Sequence, residues 1–420
     1  MSHNFYCGID FGTSNSSVAF AGLRQKPVLV PVEGQKNTIP STIFYETGKS
    51  APVFGNEAIT AYINGEQGRF MRSLKRVLGT DLMSAGTVVN GKSVKFENIL
   101  AQFIKHLKVK AEVISEEEIK HVVMGRPVHF RDNDENGDKA AEAELKQIAA
   151  KAGFENIVFQ YEPIAAAYAH EAGIRGEKLA CVIDIGGGTS DFTIIRLGGK
   201  LKTKTDRKDD ILANSGVRIG GNDFDKNLCI SDFMPALGMK TTYGGKNLPV
   251  PSSQFFDLAE WSKVNGAYSF QNQRIIRQVL TEAHDADKYS RLLELIEKEK
   301  GHELLGQVET AKIALTENEE NTQILEFLQG MPHIKSTRRN FNLSIKDNVN
   351  KTVQAVKECL SQAQTKAENI NLIILTGGSS EIPFVQKSLC SIFPHAEISG
   401  ENKLSSVGLG LAYDSLRRFA

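Results

Sequence analysis

Residues 7–19 read CGIDFGTSNSSVA, and residues 181–193 read CVIDIGGGTSDFT. Each runs an apolar, strand-like stretch into an Asp, turns through Gly and small hydroxyl residues, and returns to strand-like sequence. Such a turn presents a carboxylate and frees successive backbone N–H groups to converge on an anion. Glycine lets the backbone approach phosphate oxygens closely, and the hydroxyls add donors. Asp10 with Gly12, Thr13, Ser14 and Asn15 makes one turn, and Asp184 with Gly186, Gly187, Gly188 and Thr189 makes the other. A single turn of this kind is commonly just a hairpin turn. Two of them, one per half of the chain, imply a nucleotide held between two related lobes. Two carboxylates facing one polyphosphate imply Mg²⁺ between them, bound through the waters it keeps. No GxxxxGK[ST] occurs, so this is not a Walker-A site.

The rest of the chain alternates strand and helix patterns, the signature of an α/β protein. FYCGIDFG, SVAFAG and KPVLVPV read as three short strands. ENILAQFIKHLKVKAEVI carries Ile99, Phe103, Ile104 and Leu107 at helical spacing. HVVMGRPV and NIVFQY read as strands flanking a helix, KAAEAELKQIAAKAG. In EPIAAAYAHEAG, Pro163 suits a first helical turn and Gly173 a helix end. GIRGEKLA reads as the crossing between halves, after which the plan repeats. A third turn, TGGSS at 376–380, follows a strand and precedes a helix; its backbone could meet the sugar and α-phosphate, or be structural. Residues 252–317 are helical and charged but carry no sustained heptads, which favours a packed helical subdomain over a coiled coil. Disorder is expected only at the termini, 130–137 and 240–250.

Composition narrows the partners. Fifty Lys+Arg balance fifty Asp+Glu, so no global field draws the chain to nucleic acid or an anionic membrane. Five Cys with no CxxC fit reduced, cytoplasmic thiols, and Cys7 and Cys181 lie in apolar runs. The opening MSHNFYCGIDF lacks the pattern of a signal peptide, no apolar run reaches membrane-spanning length, and nine scattered His give no zinc pattern.

Together these pieces resemble the actin-like ATPase superfamily, and within it the ATPase domain of the DnaK-type heat-shock proteins. GIDFGTSNSSVAF is similar to that family's first phosphate loop and VIDIGGGTSDFTI to its second. SLKRVLG (73–79) resembles its lysine segment and YEPIAAAYA (161–169) its glutamate–proline helix. IGGNDFDKNL (219–228) resembles the segment that separates DnaK-type proteins from actin and sugar kinases, VETAKIAL (308–315) the adenosine helix, and LTGGSSEIP (375–383) the adenosine loop. The fold implied is an α/β, ribonuclease H-like, two-lobed one with a nucleotide cleft. Lobe I would span 1–175 (core 1–37 and 115–175, insert 38–114). Lobe II would span 176–420 (core 176–219 and 345–420, mostly helical insert 220–344).

The resemblance assigns roles. Lys75 would hold the γ-phosphate and the attacking water, although a KR pair also reads as plain surface. Glu162 would orient that water, cap its helix, or do both. Thr13 and Thr189 would donate hydroxyls to phosphates, Asp10 and Asp184 would bind Mg²⁺ through water, and Asp191 would position water or a monovalent cation such as K⁺. Gly220 and Gly221 join the nucleotide set, as do Gly377, Gly378 and Ser379 of the third turn. Glu309 and Lys312 match ribose contacts and Thr316 a base contact. Two arginines commonly sandwich adenine in the family; here Ile313 and Glu381 stand at those positions. Pro127 falls where the family has a switch proline, and also suits a strand end.

Full-length members continue into a peptide-gripping β-sandwich and lid, whereas this sequence stops at LAYDSLRRFA. The expectation is therefore an ATP/ADP- and Mg²⁺-dependent, slowly hydrolysing ATPase domain alone, a chaperone or regulatory ATPase with co-chaperone or client partners. A filament-forming actin/MreB-like scaffold is the alternative, and a small-molecule kinase a third.

Overall fold

The computed structural model describes residues 5–23, 25–130, 134–171, 174–204, 206–399 and 406–420. Its contacts divide into two compact units: 1–218 with 354–380 and 389–420, and 219–353 with 381–388.

The first unit is built on two sheets. In one, β1 (Phe5–Phe11) pairs antiparallel with β2 (Asn15–Gly22), which pairs with β3 (Gln25–Leu29). On its other side β1 runs parallel to β4 (His121–Arg126), and β4 to β5 (Asn156–Tyr161). In the second sheet β6 (Glu177–Ile185) pairs antiparallel with β7 (Ser190–Gly198), and β7 with β8 (Ile211–Val217). Parallel partners β9 (Leu372–Thr376) and β10 (Glu397–Ser399) complete it. The orders β3-β2-β1-β4-β5 and β8-β7-β6-β9-β10 are the same, polarity included. The duplicated turns are therefore the equivalent hairpins of two like sheets.

Helices α1 (Phe96–Ser115) and α2 (Glu135–Lys151) share a core cluster with the first sheet, in which Ile99, Phe103, Ile104, Leu107 and Ile148 meet Cys7, Ile9 and Phe11. A second cluster joins α3 (Glu162–Glu171) and α4 (Ser406–Phe419) to both sheets, through Val123, Ile164, Val182, Ile195, Leu372, Ile374 and Leu411. α3 and α4 touch backbone to backbone: a Cβ on Gly410 would overlap the Ala165 carbonyl. The far end of α3 is tied to the β7–β8 connection by Arg207, whose guanidinium donates to both Glu171 oxygens at 3.0 and 3.1 Å and also to Asp210. All three side chains are buried. Burying these charges is tolerable only because each is paired and hydrogen-bonded.

The second unit is mostly helical, with Phe224, Phe233, Phe255, Leu258, Tyr289, Leu292 and Leu304 in its interior. Its helices between Ser253 and Glu317 are short and packed, in place of a coiled coil. Residues 240–250 depart from the expected disorder. Thr242–Tyr243 and Leu248–Pro249 form a small hairpin, held because Gly244 N–H donates to the Glu282 carbonyl (3.0 Å) and His284 N–H to that of Thr242 (2.9 Å). In the 130–137 stretch, Asp134 caps α2 through Gly137 N–H (2.9 Å), while 131–133 and the helix-end position Gly173 lie outside the described residues. Among the described residues no helix is long and apolar enough to cross a membrane.

Candidate active site

The first unit gathers both phosphate turns, Lys75, Glu162 and the three aspartates. Asp10 is opposite Ser17 near the end of β1, and Asp184 is opposite Asp191 near the end of β6, so each carboxylate stands where its hairpin begins. The β1–β2 turn is fixed by its neighbours: Ser41 Oγ donates to the Gly12 carbonyl (2.7 Å) and Ser41 N–H to that of Ser14 (2.8 Å). A Cβ on Gly12 would overlap the Asn15 carbonyl, so the turn closes only with glycine there. The Ser14 hydroxyl is buried without a hydrogen-bond partner among the described residues, an orphan donor that a phosphate oxygen would satisfy. In the β6–β7 turn Gly186 N–H donates to the Thr189 carbonyl (2.9 Å), leaving Gly187 and Gly188 at the tip and Thr189 exposed.

The third turn meets the second. Ser379 Oγ donates to the Gly186 carbonyl at 3.5 Å. Gly377 adopts φ 77°, and a Cβ there would overlap the Ile185 carbonyl, so both conformation and space call for glycine. Gly378 opens the short 3₁₀ turn that follows.

Lys75 does not lie on a surface helix. It sits in a 3₁₀ turn, Leu74–Val77, entered through Ser73 in the left-handed region (φ 56°). Its ammonium donates to Glu162 Oε1 at 2.6 Å, with only 9% and 15% of the two side chains exposed. Glu162 opens α3 directly beside β4, where a Cβ on Gly125 would stand 3.2 Å from Glu162 Cγ. Burial alone would lower the Lys75 pKa, but Glu162, Asp10 and Asp184 hold it above the ordinary lysine value. The carboxylates are pushed the other way. Burial and the Glu162 charge raise Asp10 to about 7 against the pull of Lys75. Burial, then Asp191, Glu162 and Asp10, raise Asp184 well above the carboxylate range. Four carboxyl groups around one ammonium resist ionising together unless a further cation joins them. A hydrated divalent cation fits that donor set, since Mg²⁺ prefers carboxylate oxygens and keeps its waters. Among the described residues no three His, Cys, Asp or Glu converge on one point as direct ligands.

Two braces were not legible in the sequence. Arg126, just before Pro127, folds back so that Nε donates to the Pro127 carbonyl (3.1 Å) and Nη2 to that of Val128 (3.3 Å). It also binds Asp138 (2.6 Å) and Glu142 of α2 and lies over the Phe130 and Tyr161 rings. From the same helix Glu144 accepts Gly79 N–H at 2.7 Å, fixing the end of the lysine segment. An Arg preceding Pro at a strand end, with Asp and Glu four apart on the next helix, was the available signal.

The remaining positions lie in the second unit. Gly220 and Gly221 begin the helix Gly221–Leu228, with Gly220 N–H donating to Asp223 (2.9 Å). Glu309, Lys312, Ile313 and Thr316 share one face of the helix Gly301–Glu317 at i, i+3, i+4 and i+7. Lys312 pairs with Asp225 at 2.8 Å, and Ile313 is 61% exposed, an apolar side chain on an otherwise polar face. Glu381 is half-buried in this unit's second segment.

Two like sheets, each ending a hairpin in a glycine-rich anion turn with acids and a lysine beside it, define a nucleotide-site architecture of the actin-like class. The family model described as "Hsp70 protein" matches residues 6–244 and 270–415. The chain belongs to the Hsp70 family, which is built on the actin-like ATPase fold. It is similar to the "Chaperone protein DnaK" of Thermosipho africanus (strain TCF52B), 28% identical over 417 residues, covering 97% of this chain and 58% of that protein. The protein of the same description from Thermosipho melanesiensis is 28% identical over 416 residues, with the same coverage. The chain thus spans under two thirds of the length of these relatives.

Proposed function

We propose that the chain binds Mg-ATP and hydrolyses it slowly, as a chaperone-type ATPase acting with protein partners. The observation that carries this reading is the Lys75–Glu162 pair, set among Asp10, Asp184 and Asp191 beside two equivalent anion turns. Members of this family are ATPases. The lobe boundary read at 175/176 belongs to the same proposal; each sheet drawing its strands from one side of it supports it.

Phosphoryl transfer to water is chiefly positioning and charge neutralisation. Backbone N–H groups of the two turns, with the Ser14, Thr13 and Thr189 hydroxyls, bind the phosphate oxygens. Asp10 and Asp184 would hold a hydrated Mg²⁺ through its waters, and the metal would supply charge to offset the polyphosphate. Lys75 Nζ faces the charge that develops on the transferred group. Glu162 orients the attacking water through Oε1, the atom that now accepts from Lys75, and Asp191 completes the polar wall next to Asp184. The family resemblance assigns Glu309, Lys312 and Thr316 to the nucleoside and gives Ile313 the place of one adenine-facing arginine.

Phosphate release from Mg-ATP by the purified protein tests the reading; no release above background overturns it. Growth of light scattering with ATP would favour a filament-forming ATPase instead. A sharp rise in turnover with small hydroxylated acceptors would favour a kinase.

A further inference from the structure

We propose that Arg76 is a second cation for the terminal phosphate and makes the site prefer a triphosphate to a diphosphate; this rests on the nucleotide reading above. Lys75 and Arg76 share one 3₁₀ turn but have opposite surroundings. Lys75 is buried and bound to Glu162. Arg76 is exposed, and among the described residues its guanidinium has no ion-pair or side-chain hydrogen-bond partner. It is nevertheless placed. The guanidinium lies on Gly188 at the tip of the second phosphate turn, so closely that a Cβ there would overlap Nη2. Apart from Gly188 and its chain neighbours, the three atoms nearest that point all belong to Arg76. The missing side chain at Gly188 is what admits the guanidinium.

The position selects the end of the polyphosphate. The third turn reaches the second at Gly186, through Ser379, whereas Arg76 reaches it at Gly188. Arg76 also shares its turn with Lys75, whose ammonium faces Glu162 and Asp10. Both cations of the turn therefore serve one end of the ligand, the end away from the sugar. A guanidinium presents planar, paired donors that match a phosphate oxygen pair. One not already held by a carboxylate has those donors free for the ligand.

The test is calorimetric titration of the whole protein, in Mg²⁺, with ADP and with the non-hydrolysable β,γ-imido triphosphate analogue. Arg76→Ala should weaken the triphosphate roughly ten- to hundredfold, as loss of a charge-assisted hydrogen bond does. Its ADP affinity should stay within about threefold, and Arg76→Lys should recover part of the loss. Gly188→Ala, which displaces the guanidinium, should also weaken the triphosphate, and the double variant should lose less than the product of the two single losses. Equal weakening of both ligands, no weakening in Arg76→Ala, or fully multiplying losses would each overturn the assignment to Arg76. A parent protein that binds neither ligand would remove the nucleotide reading itself, and this inference with it.

Discussion

Replacing Lys75 separates its two jobs, holding Glu162 in place within the fold and stabilising charge during turnover. The pair is short, 2.6 Å, and 9% and 15% exposed, so water screens it little. Removing one partner of such a pair leaves the other buried without its counter-charge. Lys75→Met should thus cost the fold about 1.5–3 kcal/mol, the range for hydrogen bonds to charged groups. The vacated ammonium also bordered Asp10 and Asp184, whose pKa values it pulls down, so the remaining carboxylates repel more strongly. Glu162→Gln relieves that repulsion, and Lys75→Met/Glu162→Gln should recover at least about 1 kcal/mol of the sum of the single losses. Turnover should behave differently. One preorganised donor aimed at developing charge is worth about 10²–10³ in rate, so Lys75→Met should lose about that much while still binding ATP. The double variant should regain stability and no rate. Chemical denaturation and single-turnover phosphate release on the four proteins measure both quantities. Lys75→Met turnover within twofold of the parent would remove Lys75 from the mechanism, and additive stability losses would refute the buried-pair argument.

Three further outcomes are expected. The Asp10 carboxyl, raised to about 7, makes the metal-free fold lose stability as pH rises through that value, because the folded state holds the proton that the unfolded chain gives up near pH 4. Asp10→Asn should therefore be more stable than the parent by about 2–4 kcal/mol at pH 8, with the gap closing toward pH 4 in denaturant titrations; a gap independent of pH would contradict the shift. Gly410→Ala forces a methyl into the Ala165 carbonyl and should cost about 1–3 kcal/mol, lowering the melting temperature by about 2–4 °C per kcal/mol; an unchanged melting curve would show that α3 and α4 can part freely. Ile313→Arg/Glu381→Arg should tighten ADP binding by about tenfold in calorimetry, since a cation over a base face contributes about 0.5–2 kcal/mol; unchanged or weaker binding would mean the adenine is held otherwise.

The sheets were legible because their signals are local. Apolar runs broken by Asp, Gly and hydroxyl residues mark β1–β2 and β6–β7 directly, and helical spacing from Ile99 to Leu107 marks α1. The hairpin at 242–249 was not legible. Its strands are two residues each, and partners forty residues downstream hold it. The phosphate turns, Lys75 and Glu162 could be named from sequence, but their meeting could not, since 87 residues separate the pair. Arg76 and Arg126 escaped for a related reason. A guanidinium reads as solvated surface until the fold supplies what lies beneath it: Gly188 in one case, two rings and two carboxylates in the other.

The buried Arg207 clamp makes α3 a lever. Its ten residues span about 15 Å, with Glu171 gripped at one end and Glu162 at the other. A tilt of about 10° around the gripped end carries the free end about 2.6 Å, from the length and the angle alone. That travel equals the whole Lys75–Glu162 separation of 2.6 Å. Ala165, on the same helix, lies backbone to backbone against Gly410, so such a tilt has to carry α4 with it, and the Lys75–Glu162 contact is coupled to the position of the last helix described.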